Sequence, residues 1–85
     1  MEWYDVLLSH SWTSGGDRSW YFVHTVSAAS KSGAIAKAKA KSRVWFNKNN
    51  RELLQTTVHG AGPCGSYADF VGKYVGQFIA EAACR

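Results

Sequence analysis

The sequence predicts an α+β fold: a two-layer ββαβα order, with an antiparallel three-stranded sheet and two helices packed on one face. Three patterns predict it. Apolar residues alternate through two neighbouring segments joined by a Gly-Gly turn, an Ala-rich segment headed by serines follows, and an apolar stripe at helical spacing closes the chain. Eighty-five residues, 46% of them hydrophobic and 14% aromatic, make one domain, 1–85, with ample core material for its length. A chain this short buries roughly 60–65% of the surface its unfolded form exposes.

Residues 2–12 read as the first strand. Tyr4, Val6, Leu8, His10 and Trp12 share one face, and Trp3, Asp5, Leu7, Ser9 and Ser11 the other. The turn 13–18 contains Gly15-Gly16, and the second strand, 19–28, alternates Trp20, Phe22, His24 and Val26 with Tyr21, Val23 and Thr25. Both faces of this hairpin carry large apolar groups, so the outer face also calls for a cover. Ser30 or Ser32 caps a helix expected from about Lys31 to Phe46, in which Ile35, Ala38, Ser42 and Trp45 recur at helical spacing. The run Asn47-Lys48-Asn49-Asn50 ends it, because Asn tolerates left-handed backbone. A third strand is expected over 52–59, and 60–65, rich in Gly, as a loop. Ser66 and Asp69 resemble a capping box for the last helix. Its apolar stripe is Tyr67, Phe70, Val71, Tyr74, Val75, Phe78, Ile79 and Ala82.

Cys64 and Cys84 flank that last helix, whose length of about 30 Å at about 1.5 Å per residue separates its ends far beyond disulfide reach. The expectation is two free thiols in a reducing compartment. The first residues show neither a basic nor an apolar leader region, and no long charge-free apolar run occurs, so the expected location is cytoplasmic and no membrane span is expected.

The charge is concentrated. Seven of the ten basic residues, Lys31, Lys37, Lys39, Lys41, Arg43, Lys48 and Arg51, lie in one stretch without an acidic residue. The remaining 64 residues hold three basic and six acidic groups, so the net charge of +4 comes from this block. Such a block points to a macromolecular partner: an acidic protein surface, or phosphates of nucleic acid. A solvated helix face is the plain reading. Exposed aromatics beside the charge would favour nucleic acid, since bases stack on them. Trp45 and Phe46 adjoin the block, so one of them is expected to face outward, although a core role suits Trp45 better.

Other chemistry is sparse. His10 and His24 can meet across the hairpin, with His59 near if the third strand pairs beside them. His59 and Cys64 make one candidate ligand pair without a second, so no metal or other cofactor is expected. Ser9, His10, Ser11, Asp5 and Asp17 supply triad residue types. Two layers of 85 residues offer little room for a pocket with an oxyanion hole, so no enzymatic activity is expected. The loop at 60–65 precedes a helix start but lacks a phosphate-loop Lys-Ser/Thr, and Pro63 removes a donor. Gly72 and Gly76 lie four apart on the outer side of the last helix, a place for a second backbone to approach in a homo-oligomer.

The run Trp20-Tyr21-Phe22-Val23-His24-Thr25-Val26-Ser27-Ala28-Ala29-Ser30, followed by Ala34-Ile35-Ala36-Lys37-Ala38, resembles a set of small phage-encoded α+β proteins. Among these are anti-CRISPR proteins, compact inhibitors that bind components of CRISPR effector complexes. The resemblance spans roughly residues 19–42 and carries no site residue with it. It implies a non-enzymatic inhibitor acting by steric occlusion in the host cytoplasm. Many such inhibitors are acidic mimics of DNA; this chain is basic. The implied contact is therefore an acidic patch of a host complex, or its nucleic-acid path, met by the basic block. Direct nucleic-acid binding through the same block is the alternative, and a homo-oligomeric structural protein a third.

Overall fold

A computed structural model describes residues 2–11, 19–49, 53, 55–67 and 78–80. Within them the chain is α+β: strands β1 (Glu2–Ser11) and β2 (Ser19–Ala28), helix α1 (Lys31–Lys48), strand β3 (Gln55–Pro63) and a short strand β4 (Phe78–Ala80). The sheet order is β3-β1-β2-β4. The first three strands are antiparallel, and β4 runs parallel to β2. β1 and β2 pair without interruption from Glu2↔Ala28 to Ser11↔Ser19, as alternation over ten residues in each segment dictates.

That register places Val6, Leu8 and His10 beside Phe22, His24 and Val26 on one face, and α1 covers it. The helix buries Ala34, Ala38, Ser42 and Phe46, one residue per turn. Val6, Leu8, Val26, Ala28, Ala34 and Ala38 form the core cluster, with Tyr4, Ile35, Val58 and Ala61 at its margin. Each fully buried Val, Leu or Phe contributes about 1.5–3 kcal/mol. Small residues at 34, 38 and 42 let the helix axis come close to the sheet. Ser30 caps the helix, its Oγ accepting from the Gly33 N–H at 3.2 Å. The C-terminal end closes at Asn49, whose Nδ2 donates to the Trp45 carbonyl at 2.8 Å. Asn49 has φ −99°, so a side-chain bond and not left-handed backbone ends the helix.

The opposite face is covered as well. Leu7, Val23, Asp5 and Thr25 lie there and are buried. Asp5 is its polar anchor: Oδ1 accepts from the Thr25 hydroxyl at 2.7 Å, and Oδ2 from the Gly65 N–H at 2.8 Å. The Cys64 N–H donates to the Trp3 carbonyl, so the turn at 64–67 folds onto this face. Gly65 takes φ +95°, which L side chains avoid. Gly60 faces Tyr67, and a methyl group there would collide with the Tyr67 hydroxyl. Burial, helped by the Asp5 carboxylate, pushes the Tyr67 phenol above its usual value.

Three expectations change. Residues 60–63 belong to β3 and are not a loop: their backbone pairs with Tyr4–Leu7, and Pro63 is tolerated at the end of an outer strand. Phe78, Ile79 and Ala80 are strand and not helix, pairing with Tyr21, Phe22 and Val23. Cys64 is disulfide-bonded and not a free thiol. The last two are connected, since a strand at 78–80 ends the 30 Å helix that was expected to hold the two cysteines apart. The sequence has one other cysteine, Cys84. Cys84, Trp12, Asp17, Gly72, Gly76 and the main part of the expected second helix lie outside the described residues.

Two outcomes check this arrangement. A thiol reagent leaves Cys64 unlabelled in the denatured, unreduced chain and labels it after reduction; labelling without reduction would mean a free thiol. Asp5→Ala strands the Gly65 N–H and the Thr25 hydroxyl, so urea unfolding should show a loss of about 2–3 kcal/mol. Asp5→Asn can serve both partners and loses less. An Asp5→Ala chain as stable as its parent removes the anchoring role.

Candidate functional site

Helix α1 carries six of the seven basic residues of the block, and its seating decides where each of those charges points. Beneath it, the Ser42 hydroxyl meets two imidazoles: His10 Nε2 at 2.8 Å and His24 Nε2 at 2.7 Å. All three residues are buried, Ser42 completely. A hydroxyl has one proton, so Ser42 donates to one imidazole and accepts from the other, and the two rings hold complementary Nε2 states. His10 Nδ1 meets the Thr56 hydroxyl at 2.9 Å. Phe22 and Phe46 close around His10 edge-on, with ring centroids at 4.9 and 5.3 Å. Trp45 packs against Phe22 and Phe46 at 5.2 Å each. So Phe46 is buried and Trp45 half-buried; neither faces outward, and the exposed apolar residue of this segment is Val44.

Stepping about 100° per residue from the buried line sorts the exposed positions. Ala36, Ala40 and Val44 form the outward strip, all exposed. Lys37, Lys41 and Lys48 flank it on one side, Lys39 and Arg43 on the other. Lys31 is the first residue of the helix and exposed, while Arg51 lies outside the described residues. The flank with Lys37 and Lys41 overhangs β2. The Lys37 ammonium donates to the Ser27 carbonyl, and the Lys41 ammonium to the Thr25 carbonyl at 3.5 Å. The block is therefore two unlike rows, one tied to the sheet's backbone and one, on the far flank, at the solvent edge.

Trp3 is the contact candidate that the basic block alone does not disclose. It lies opposite Ser27 in the β1–β2 ladder and is 56% exposed. With Thr25, Ser27, Lys37, Ala40 and Lys41 it borders a surface groove of about 380 Å³. Alternation in β1 already set Trp3 on the Asp5 face, away from the helix side of the hairpin; that a groove joins it to α1 depends on the third dimension.

The triad and metal candidates separate in space. His10 faces α1, whereas Ser9 and Asp5 face the other way. His59 is the extra residue of a bulge in β3, where the pairing steps from Leu7↔Gly60 to Leu8↔Val58. The bulge sets the His59 Nε2 2.7 Å from the Ser9 Oγ, with the Tyr21 ring 5.6 Å away. No carboxylate pairs with His59 among the described residues. His10 and His24 meet through Ser42, but His59 is not with them, and Cys64 is committed to sulfur. No group of three or more His, Cys, Asp or Glu that could hold a metal occurs among the described residues. There, too, no helix is long and apolar enough to cross a membrane. No protein-family model matches the chain, nor does any curated protein or solved structure.

Burial, and to a lesser degree His24, pushes the His10 imidazole down to about 4. The unfolded imidazole takes its proton near 6.5, so between about 6.5 and 4 the unfolded state binds more protons and folding loses stability as pH falls. The expected loss is about 3 kcal/mol from pH 7.5 to pH 4 from this group. Denaturant midpoints measured across that window check it, and His10→Gln should flatten the slope; an unchanged slope refutes the assignment. Ser42→Ala leaves two buried imidazole nitrogens unpartnered and should cost about 2–3 kcal/mol at pH 7.5.

Proposed function

We propose that this chain is a small non-enzymatic binding protein that docks through α1 on an acidic protein surface and acts by steric occlusion. One observation carries the reading: the outward strip of Ala36, Ala40 and Val44 lies between two basic rows, in a helix without a carboxylate. An apolar strip inside a charged margin has the anatomy of a protein interface, with a core that sheds water and a rim that steers encounter. The contact residues are Lys37, Lys39, Lys41 and Arg43, with Lys31, Lys48 and Arg51 at the margin. The resemblance to phage-encoded inhibitors suggests the setting, a host CRISPR effector complex whose working surface the docked chain would cover. A second helix packed on the sheet, and action in the host cytoplasm, belong to the same proposal. A reducing cytoplasm opens disulfides, so such action requires a chain that keeps its fold without the Cys64 bond.

A second reading, nucleic-acid binding by the same block, has its own support in the exposed Trp3 beside Lys37 and Lys41.

The far flank separates docking from mere solvation. Lys39→Glu with Arg43→Glu should slow capture of an acidic protein partner by about tenfold or more at low salt, as loss of steering charge does. Val44→Asp should speed its release. Surface-immobilised chain and purified partner give both rates, and circular dichroism confirms the fold of each variant. Unchanged rates in both variants would sink the docking reading.

A further inference from the structure

The groove beside β2 sets an aromatic side chain, which acidic-surface docking does not use, beside two lysines. An indole more than half exposed stands at one side, and two lysines at the other. No carboxylate borders it among the described residues. Both ammonium groups lie beside β2: Lys37 donates to the Ser27 carbonyl, and Lys41 makes a longer contact of 3.5 Å to the Thr25 carbonyl. Each such bond takes one of an ammonium's three donors and leaves two for a ligand. Ser27 adds a hydroxyl-bearing side chain to the lining, whereas the Thr25 hydroxyl is already donated to Asp5. The groove is open to solvent, with a volume of about 380 Å³.

We propose that this groove is a subsite for single-stranded nucleic acid, in which one base stacks on Trp3 and the neighbouring phosphates rest on Lys37 and Lys41. Aromatic side chains beside fixed cations are the two elements from which strand-tracking sites are made, and every base has a π-face to stack. A carboxylate-rich protein surface would pair with the lysines and leave the indole unused. Duplex bases are stacked on one another, so a duplex offers its phosphates but no free base face. A strand suits the site better than a mononucleotide, because Lys48 continues the same flank of α1 about 10 Å beyond Lys41. This inference rests on and deepens the nucleic-acid reading: it shares Lys37 and Lys41 with the docking reading but needs Trp3 as well, and neither Val44 nor the far flank.

The test is fluorescence anisotropy of a labelled short oligothymidylate titrated with the full chain at several salt concentrations. The comparison ligands are a duplex of equal length, thymidine monophosphate and polyglutamate. The single strand should bind more tightly than all three, with a log–log salt slope of about −1.4 or steeper for two or more phosphates. Trp3→Leu should weaken the single strand about tenfold and leave the salt slope unchanged, and Trp3→Phe should recover part of the loss. Lys37→Gln with Lys41→Gln should flatten the slope. Because Trp3 is exposed, both Trp3 variants should melt with the parent; if Trp3→Leu does not fold, Trp3→Phe and the lysine pair still decide. No binding at low salt overturns the proposal. So does polyglutamate or duplex binding as tightly as the single strand, or Trp3→Leu binding the strand like the parent. The Lys39→Glu, Arg43→Glu chain should keep its strand affinity to within a few-fold, so loss of protein docking and loss of strand binding are told apart.

Discussion

The seat of α1 is a single hydroxyl. Ser42 lies completely buried between two imidazoles, and no other described position on the helix's buried line has a polar atom to offer the sheet. Ala34, Ala38 and Phe46 would tolerate a small rotation of the helix, since apolar contact is not directional. The bonds to His10 and His24 are directional, and a rotation that broke them would leave imidazole nitrogens buried without partners. This constraint sets the azimuth of every other residue on α1. It turns Lys37 and Lys41 down over β2, sends Lys39 and Arg43 to the far flank, and leaves Ala36, Ala40 and Val44 outermost.

β1 makes this possible by holding a polar anchor on each face. His10 reaches towards α1 and Asp5 towards the turn at 64–67, from one strand in the middle of the antiparallel part of the sheet. An 85-residue chain has little apolar surface to spare, and burying a carboxylate and two imidazoles is affordable only because their polar atoms are paired. None of the buried polar side-chain atoms of the described residues is left without a partner. His10 makes the fold sensitive to acid, since it is neutral there and acquires a proton readily only when unfolded.

How much of this the sequence discloses follows from how local each signal is. β1, β2 and α1 are legible because alternation and capping act between near neighbours, and Ser30 is indeed the cap. β3 is harder. Gly60 and Gly62 read as loop punctuation, whereas at least Gly60 is there to admit Tyr67 against the sheet. The bulge at His59 has no local mark at all. Phe78, Ile79 and Ala80 fit a helical stripe and a buried strand equally well, and only the neighbouring backbone of β2 decides between them. The disulfide at Cys64 is hidden for the same reason, since a helix through 78–80 would hold the two cysteines apart and a strand does not. The basic block and its two directions are visible in helical spacing, since Lys37 and Lys41 lie four apart and Lys39 about 200° around; which row overhangs β2 is not, because that depends on Ser42. The place of Trp3 has no local mark either: its groove joins Trp3 of β1 to Ser27 of β2 and Lys37 and Lys41 of α1.

The two basic rows differ in what they can contribute to binding. A free surface lysine has about 2 kcal/mol of side-chain freedom to lose when it grips a partner. Lys37 and Lys41 have lost part of that freedom already to the carbonyls of Ser27 and Thr25, so a ligand reaching them meets charges that are already positioned. The far row holds Lys39 and Arg43 at the solvent edge, where charge acts over about a Debye length, some 8–10 Å at physiological salt, and speeds encounter more than it slows departure. A partner that reads only charge would answer to either row alike. A partner that needs a fixed phosphate position beside an aromatic face would answer to the tied row alone. The fold thus gives one helix two basic rows of different kind, and the difference comes from the hydroxyl beneath it that keeps the helix from turning.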